Sequence, residues 1–237
     1  MPPGSQWPVD LEKDTWALAA QWTARPDDLS SLTDRLLAFL TGVASLDPAL
    51  TRWFDDDEPV PIEAASLRDR LESGWDREHP SGETGTRVAL WNGAKDDLST
   101  ATISASVGST AGYLKNRIEF RPPRPAAAPG LYERDTMLAL FETVISAWQP
   151  QWCRVQPWAL RDATDGEFVD VLASWIFYLD RGLYTRRGSL PEDVSVIDGV
   201  GAGDVFVLAP TPAELRLSTI EQLRGQIVFP DEWSTLR

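Results

Sequence analysis

The stretch from 194 to 210 constrains the fold of this chain most, because it is compatible with only two kinds of structure. It contains two short apolar runs, 194–197 and 205–208, with Gly199, Gly201 and Gly203 between them. Glycine accepts positive φ at little cost, so this spacing is suitable for a hairpin turn between two strands. Glycine-rich turns also bind phosphate when a helix follows at once, so the alternative is a nucleotide-binding loop.

The phosphate-binding alternative resembles the carboxy-terminal signature of ribokinase-type sugar kinases. There, an aspartate at the position of Asp204 accepts the proton of the substrate hydroxyl. The residues after Asp204, Val-Phe-Val-Leu with Pro210 and Pro212 soon after them, favour a strand over the helix that the signature requires. Few residues follow, and the start of the chain lacks glycine-rich substrate loops. We therefore predict a hairpin, with strands 194–197 and 205–208 and the turn at 199–203.

Hydrophobic periodicity predicts the remaining elements. Alternating patterns predict strands at Trp16–Trp22, 87–91, 100–107, Asn116–Arg121 and 152–158. Helical spacing predicts helices at 29–46, 62–73, Arg134–Trp148 and 212–224, whereas 168–179 is compatible with helix or strand, with a strand favoured at its end. Strands that occur in runs between helices indicate an α+β fold, here a mostly antiparallel mixed sheet packed against about four helices.

Three local patterns add to this fold. The segment 55–58 is acidic and prolines follow it at 59 and 61, which predicts a loop. One face of the strand 100–107 carries only small side chains, so another layer is expected to approach it closely. The proline-rich segment 122–130 is predicted to be a long surface loop within a single domain, 1–237, because neither flanking part has a self-sufficient pattern.

Composition excludes several classes of function. With 36 acidic and 22 basic residues, the chain has a net charge of −14, which disfavours nucleic-acid binding and favours a basic partner. No apolar run is long enough to span a membrane, and the N-terminus lacks a signal-peptide pattern, so a cytoplasmic location is predicted. The single cysteine, Cys153, and the single histidine, His79, lie far apart in the sequence. We predict no disulfide, no metal site, no cofactor and no catalytic residue.

Several separated segments resemble the immunity protein 52 family, whose members neutralise toxins of bacterial polymorphic toxin systems. Their order and spacing, over about 14–224, carry the resemblance. They are the strand ending at Trp22 with the leucine-rich helix after it, 44–54 (ASLDPALTRWF), 88–93 (VALWNG), 147–152 (AWQPQW), 159–161 (ALR), 175–179 (WIFYL), and the glycine turn leading into 205–210.

The resemblance implies an α+β fold, no catalysis, and tight binding of one cognate toxin. Members of the family are associated with nuclease toxins of a restriction-endonuclease-like type, so the expected toxin is a secreted effector, with type VI secretion as the expected context. A nuclease that binds phosphate is usually basic near its active site, so an acidic partner would be attracted to that surface and block it. The resemblance therefore implies a nuclease with a basic active-site surface as the partner.

Two acidic segments with nearby tryptophans are the candidate toxin-binding residues. They are Asp55, Asp56, Asp57, Glu58, Asp96 and Asp97, with Trp53 and Trp91 as exposed anchors. The alternative is that both tryptophans belong to the core and both acidic segments are only solvated. For the whole chain, two alternative functions stay open: a small-molecule kinase that uses Asp204, and a non-catalytic assembly protein of a secretion apparatus. The oligomeric state is left open.

Overall fold

The computed structural model describes residues 11, 13–75, 83–164 and 170–230. Within them, the chain forms twelve strands and five α-helices. The strands are β1 Trp16–Trp22, β2 Trp53–Asp55, β3 Glu58–Val60, β4 Thr86–Trp91, β5 Thr102–Val107, β6 Asn116–Arg121, β7 Trp152–Pro157, β8 Ile176–Asp180, β9 Thr185–Arg186, β10 Ser195–Val200, β11 Gly203–Val207 and β12 Ile227–Val228. The helices are α1 Leu29–Ala44, α2 Ala64–Ser73, α3 Arg134–Trp148, α4 Trp158–Thr164 and α5 Leu217–Gln226.

Ten strands form one sheet in the order β10-β11-β8-β7-β1-β6-β5-β4-β2-β3. All pairings between these described strands are antiparallel, so the α+β prediction is confirmed, and no parallel pair is present among them. The central strand β1 pairs with β6 on one side and with β7 on the other. Chain segments from before and after the proline-rich loop 122–130 therefore share one sheet.

One face of the sheet packs against α1 and α3. Trp16, Leu18, Ala20 and Trp22 alternate along β1 and are buried, as their period of two predicts. Trp22 stacks on Trp148 of α3, with 5.7 Å between the ring centroids. Helix α1 begins where the Asp28 carboxylate accepts a hydrogen bond from the Ser31 backbone N–H at 2.7 Å.

The opposite face is covered over only part of its width. Over β8 and β11 this face is covered by later parts of the chain. The rings of Phe177 in β8 and Phe206 in β11 stack side by side at 4.7 Å, and Tyr184 packs edge-on against Phe206 at 5.6 Å. Over β4, β5 and β6, Ser104 and Ser106 are exposed. The prediction that another layer covers the small side chains of this strand is therefore wrong for the described part of the chain.

Some predicted element boundaries also differ from the structure. The acidic segment 55–58 is not a loop: it forms the end of β2, a two-residue turn and the start of β3. Pro59 fits in β3 because β3 lies at the edge of the sheet, where a missing N–H breaks no ladder on the outer side. The predicted helix 212–224 begins with a 3-10 turn, Pro212–Glu214, and the α-helix starts only at Leu217. His79 lies outside the described residues.

Candidate functional site

The acidic segment is presented on a tight hairpin at one edge of the sheet. Trp53 lies opposite Val60, Phe54 opposite Pro59 and Asp55 opposite Glu58. Asp56 occupies the turn with φ +49, a left-handed conformation that aspartate tolerates better than most residues. We name Asp55, Asp56, Asp57 and Glu58 the acidic hairpin.

Helix α2 neutralises part of the acidic hairpin. The Arg70 guanidinium donates to the Asp55 and the Glu58 carboxylates, each at 2.7 Å. The hydrogen bond with Glu58 is the main cause that raises the pKa of Arg70. Asp56 and Asp57 are exposed and form no ion pair with any described residue. Most of the unbalanced negative charge of the acidic hairpin is thus at its turn.

The two candidate tryptophans have different environments. Trp53 is only 1% exposed: its indole N–H donates to the Leu50 carbonyl at 3.1 Å, and its ring packs edge-on against Phe120. The prediction that Trp53 is an exposed anchor is therefore wrong, because β2 directs this side chain into the core. Trp91 is partly buried, with its ring tilted against Phe54 at 5.9 Å, and its indole N–H donates to the Asp56 carbonyl.

The second acidic segment lies at the other end of β4. Phe54 pairs with Trp91 in antiparallel register. The chain after Phe54 therefore runs towards the start of β4, and the turn of the acidic hairpin lies beside the earlier residues of that strand. Asp96 and Asp97 instead follow the C-terminal end of β4. The Asp96 carboxylate accepts from the Ser99 N–H at 2.9 Å and the Leu98 N–H at 3.1 Å, and these bonds lower the pKa of Asp96. Asp97 is exposed. The two acidic segments therefore flank Trp91 and do not form one cluster.

A shallow groove of about 290 Å³ runs from the acidic hairpin onto the open face of the sheet. Asp55, Asp56 and Trp91 line one side of it, and Ser104 lies on its floor. Glu119 and Arg121 of β6 line the far side, where the Arg121 guanidinium donates to the Glu119 carboxylate and also lies 4.7 Å from the centre of the Trp158 ring. Sequence reasoning missed this groove, because Asp55 and Asp56 lie more than 60 residues before Glu119 and Arg121 in the chain.

Asp204, the candidate base of the kinase interpretation, lies in strand β11, and no helix follows it directly. Burial opposes ionisation of this carboxylate, but Arg181, Tyr184 and the Gly199 N–H all donate to it, and together they lower its pKa to about 2. The Tyr184 hydroxyl is 2.5 Å away, and Arg181 binds with two nitrogens. The kinase interpretation is therefore wrong on geometry, and the predicted hairpin is confirmed.

The described part of the chain offers few other groups that could bind a metal ion or react. No group of three or more His, Cys, Asp or Glu side chains there is arranged to hold a metal ion. Cys153 is buried, and this burial raises the pKa of its thiol well above the usual value. No helix among the described residues is long and apolar enough to cross a membrane.

Comparison with known proteins gives one family and one shared fold. The sequence pattern of the family described as immunity protein 52 matches residues 14–212. The Pseudomonas aeruginosa T6SS protein PA0821 is similar in structure, with a TM-score of 0.54 and 12% sequence identity over 89% of this chain and 71% of that one. At this identity the likeness shows the fold alone. No curated protein matches the sequence.

Proposed function

The chain belongs to the immunity protein 52 family, and we propose that it neutralises a nuclease-type toxin by covering a basic surface of that toxin with its acidic hairpin. Membership of the family makes it an immunity protein, which implies that it binds a cognate toxin. The nuclease activity of the toxin and the surface that meets it are the parts that we add.

The observation that carries this proposal is the pair of exposed carboxylates at the turn of the acidic hairpin, which form no ion pair with any part of the chain that the structure describes. Arg70 forms ion pairs with Asp55 and Glu58, so the carboxylates of Asp56 and Asp57 remain available to a partner. A nuclease must bind phosphate, and the cationic side chains that do so are attracted to such a turn. Electrostatic attraction of this kind accelerates association and orients the two proteins.

Trp91 is the proposed aromatic anchor. Its ring forms part of the groove wall beside Asp56, and it is partly exposed, unlike Trp53. Tryptophan residues that are partly exposed before binding contribute strongly to interfaces, because a partner buries a large apolar area when it covers them. Asp97 and the ionised Asp96 would extend the acidic border on the other side of Trp91.

We also propose that inhibition is non-catalytic and takes place in the cytoplasm, where the nucleic-acid substrate of the toxin is found. A binding protein needs only to cover the phosphate-binding surface. The remaining alternative, an assembly protein of a secretion apparatus, predicts no protection against a toxin. Co-expression with the cognate toxin separates the two: survival that depends on the chain supports the immunity role, and death regardless of it contradicts it.

The interface is tested by reversing the charges at the turn of the acidic hairpin. Asp56→Lys with Asp57→Lys should weaken toxin binding roughly tenfold or more, mainly through slower association, and should reduce its dependence on salt. Asp55 and Glu58 are kept because they hold Arg70. The matched control, Asp34→Lys with Glu142→Lys, makes the same charge change on exposed positions of α1 and α3.

Affinity for the catalytically inactivated toxin is measured at two salt concentrations. If the control pair weakens binding as much as the hairpin pair does, the effect comes from net charge and the assignment of the surface is wrong. Unchanged affinity with an unchanged salt dependence in the hairpin pair would also reject it.

A further inference from the structure

The open face of the sheet carries a row of basic side chains beside the acidic hairpin. The register places Arg87 of β4 opposite Ser106 of β5, and Ser106 opposite Arg117 of β6. These three residues alternate with core residues of their strands and are exposed, so all of them lie on the face that no helix among the described residues covers at this point. We name Arg87, Ser106 and Arg117 the arginine row. The next row on the same face consists of Ala89, Ser104 and Glu119, of which only Glu119 has a large side chain.

The charges of this face are not balanced internally. The Glu119 carboxylate accepts from both Arg117 and Arg121, and its side chain is only 11% exposed. The Arg117 side chain remains 53% exposed. The Arg87 side chain is exposed, and its guanidinium forms no hydrogen bond or ion pair with any described residue. On β4, β5 and β6, this face thus carries the three guanidinium groups of Arg87, Arg117 and Arg121 and the single carboxylate of Glu119, which binds only the last two, on a chain whose net charge is −14.

The spacing of the arginine row suits a carboxylate. Neighbouring strands are about 4.8 Å apart, so the two arginines stand about 10 Å apart with the Ser106 hydroxyl between them. An acidic side chain above Ser106 is within reach of both guanidinium groups, and charge-assisted bonds of this kind are among the strongest hydrogen bonds in proteins. Without such a partner, the Arg87 guanidinium has no described carboxylate to bind, and Arg117 has only the Glu119 carboxylate that it shares with Arg121.

A nucleic-acid backbone is a poor occupant of the same face. A polyanion laid across β4, β5 and β6 would meet Asp55 and Asp56 at the other side of the groove, where like charges repel. A protein surface carries both signs of charge and can match both rows. The observations therefore favour a protein that presents a basic group beside an acidic one.

We propose that the toxin places a carboxylate of its surface between Arg87 and Arg117, above Ser106, while its basic residues meet Asp56 and Asp57. This inference rests on the proposed function. The alternation of acidic hairpin and arginine row fixes how the toxin lies on the sheet, because a shifted or reversed orientation brings like charges together. The small residues Ala89 and Ser104 allow the partner to approach the strands closely.

Two independent variants test the proposal. Arg87→Gln with Arg117→Gln removes the charges of the arginine row, and Ser106→Trp adds bulk to it at an exposed strand position that accepts aromatic residues. The controls are Arg68→Gln with Arg187→Gln, which make the same charge change at exposed positions elsewhere, and Ser146→Trp on the exposed side of α3. Thermal unfolding verifies that each variant is folded.

The probe is the catalytically inactivated cognate toxin, and the measured quantity is its dissociation constant. We expect an increase of roughly tenfold or more for each arginine-row variant and of less than about twofold for the controls. Unchanged affinity in both the arginine-row pair and Ser106→Trp would overturn the proposal, while the proposed function would stand as long as the wild-type chain binds the toxin.

Two further outcomes are distinguishable. If the wild-type chain neither binds the toxin nor protects against it, the proposed function fails and the inference fails with it. The face could instead bind a second copy of this chain. A dimer that light scattering detects in the wild type, and that the arginine-row pair disrupts while toxin affinity is unchanged, would overturn the inference in favour of self-association.

Discussion

Asp204 shows how the surroundings of a single residue decide its role. The carboxylate is 3% exposed and accepts hydrogen bonds from Arg181, Tyr184 and Gly199. These bonds join β11 to the chain after β8 and to the turn of the same hairpin. An aspartate held ionised in this way is a weak base at neutral pH, so the residue acts as a structural tie.

We expect Asp204→Asn to lower the free energy of unfolding by about 2 kcal/mol at pH 7. The folded-state pKa, about 2, lies below the unfolded value near 3.8, so this stabilisation is complete above about pH 4 and is lost as pH falls toward 2. Urea unfolding at pH 7 and pH 3 should show the difference between wild type and variant narrowing in acid.

The control for Asp204 is Asp198→Asn in the same hairpin, whose side chain is 65% exposed and should contribute little. Toxin binding should survive in folded Asp204→Asn, because five strands lie between β11 and β4 in the sheet. A well-folded variant that has lost toxin binding would show that the hairpin of β10 and β11 takes part in recognition.

Trp53 and Trp91 have identical side chains, and their surroundings give them different roles. Both belong to strands that contribute to one edge of the sheet, but Trp53 faces the core and Trp91 faces the groove. Strand alternation requires that the side chains of neighbouring positions in one strand point to opposite faces of the sheet. It does not fix which of the two faces a helix layer will cover, so the sequence left both tryptophans as candidates.

At the scale of elements, the two hairpins were predicted with different success. The hairpin of β10 and β11 was recognised from its glycine spacing: Gly199, at the register shift near the end of β10, and Gly201, in the turn that follows, take positive φ, at 77° and 59°. The hairpin of β2 and β3 was missed because its strands have three residues each and β3 contains Pro59. Strands this short depend on tertiary packing against β4 and Arg70, which local pattern does not report.

We expect Gly203→Ala to destabilise the protein by about 2 kcal/mol or more, which the midpoint of urea unfolding would reveal. Gly203 begins β11 against β8, and a Cβ atom there would lie 2.0 Å from the Leu179 carbonyl oxygen and 2.6 Å from the Tyr178 ring. Backbone cannot move aside without breaking the ladder. The control is Gly225→Ala in α5, where a Cβ meets nothing within 4 Å and alanine favours the helix. Equal stability of wild type and Gly203→Ala would contradict this account of the hairpin.

At the scale of the whole molecule, the sheet joins the two parts of the chain that the proline-rich loop 122–130 separates. The central strand β1 lies between β6 and β7, and Arg35 of α1 donates to the Ala147 carbonyl of α3 at 2.7 Å. The stacked pair Trp22 and Trp148 also spans the two parts. A core built in this way requires both parts to fold together.

We therefore expect the fragments 1–126 and 127–237 to be unfolded or aggregated when each is expressed alone, because each exposes one side of the β1–β7 junction. The full chain cleaved at 126 should stay folded, since the ends lie in a surface loop. Circular dichroism and thermal unfolding of the separate fragments, their mixture and the cleaved chain provide the measurement. A cooperative transition in either isolated fragment would indicate two domains.

The sequence by itself determined the fold class, the main strands and helices, the hairpin at 194–207 and the acidic character of the surface. These follow from period, turn chemistry and charge, which act over a few residues. Only the tertiary structure decided that Arg70 pairs with two of the four carboxylates of the acidic hairpin, that Trp53 is core, and that Arg87 and Arg117 stand on one open face. Each of these depends on strand order and on which half of the sheet the C-terminal segments cover, because residues far apart in the chain become neighbours only through pairing and packing.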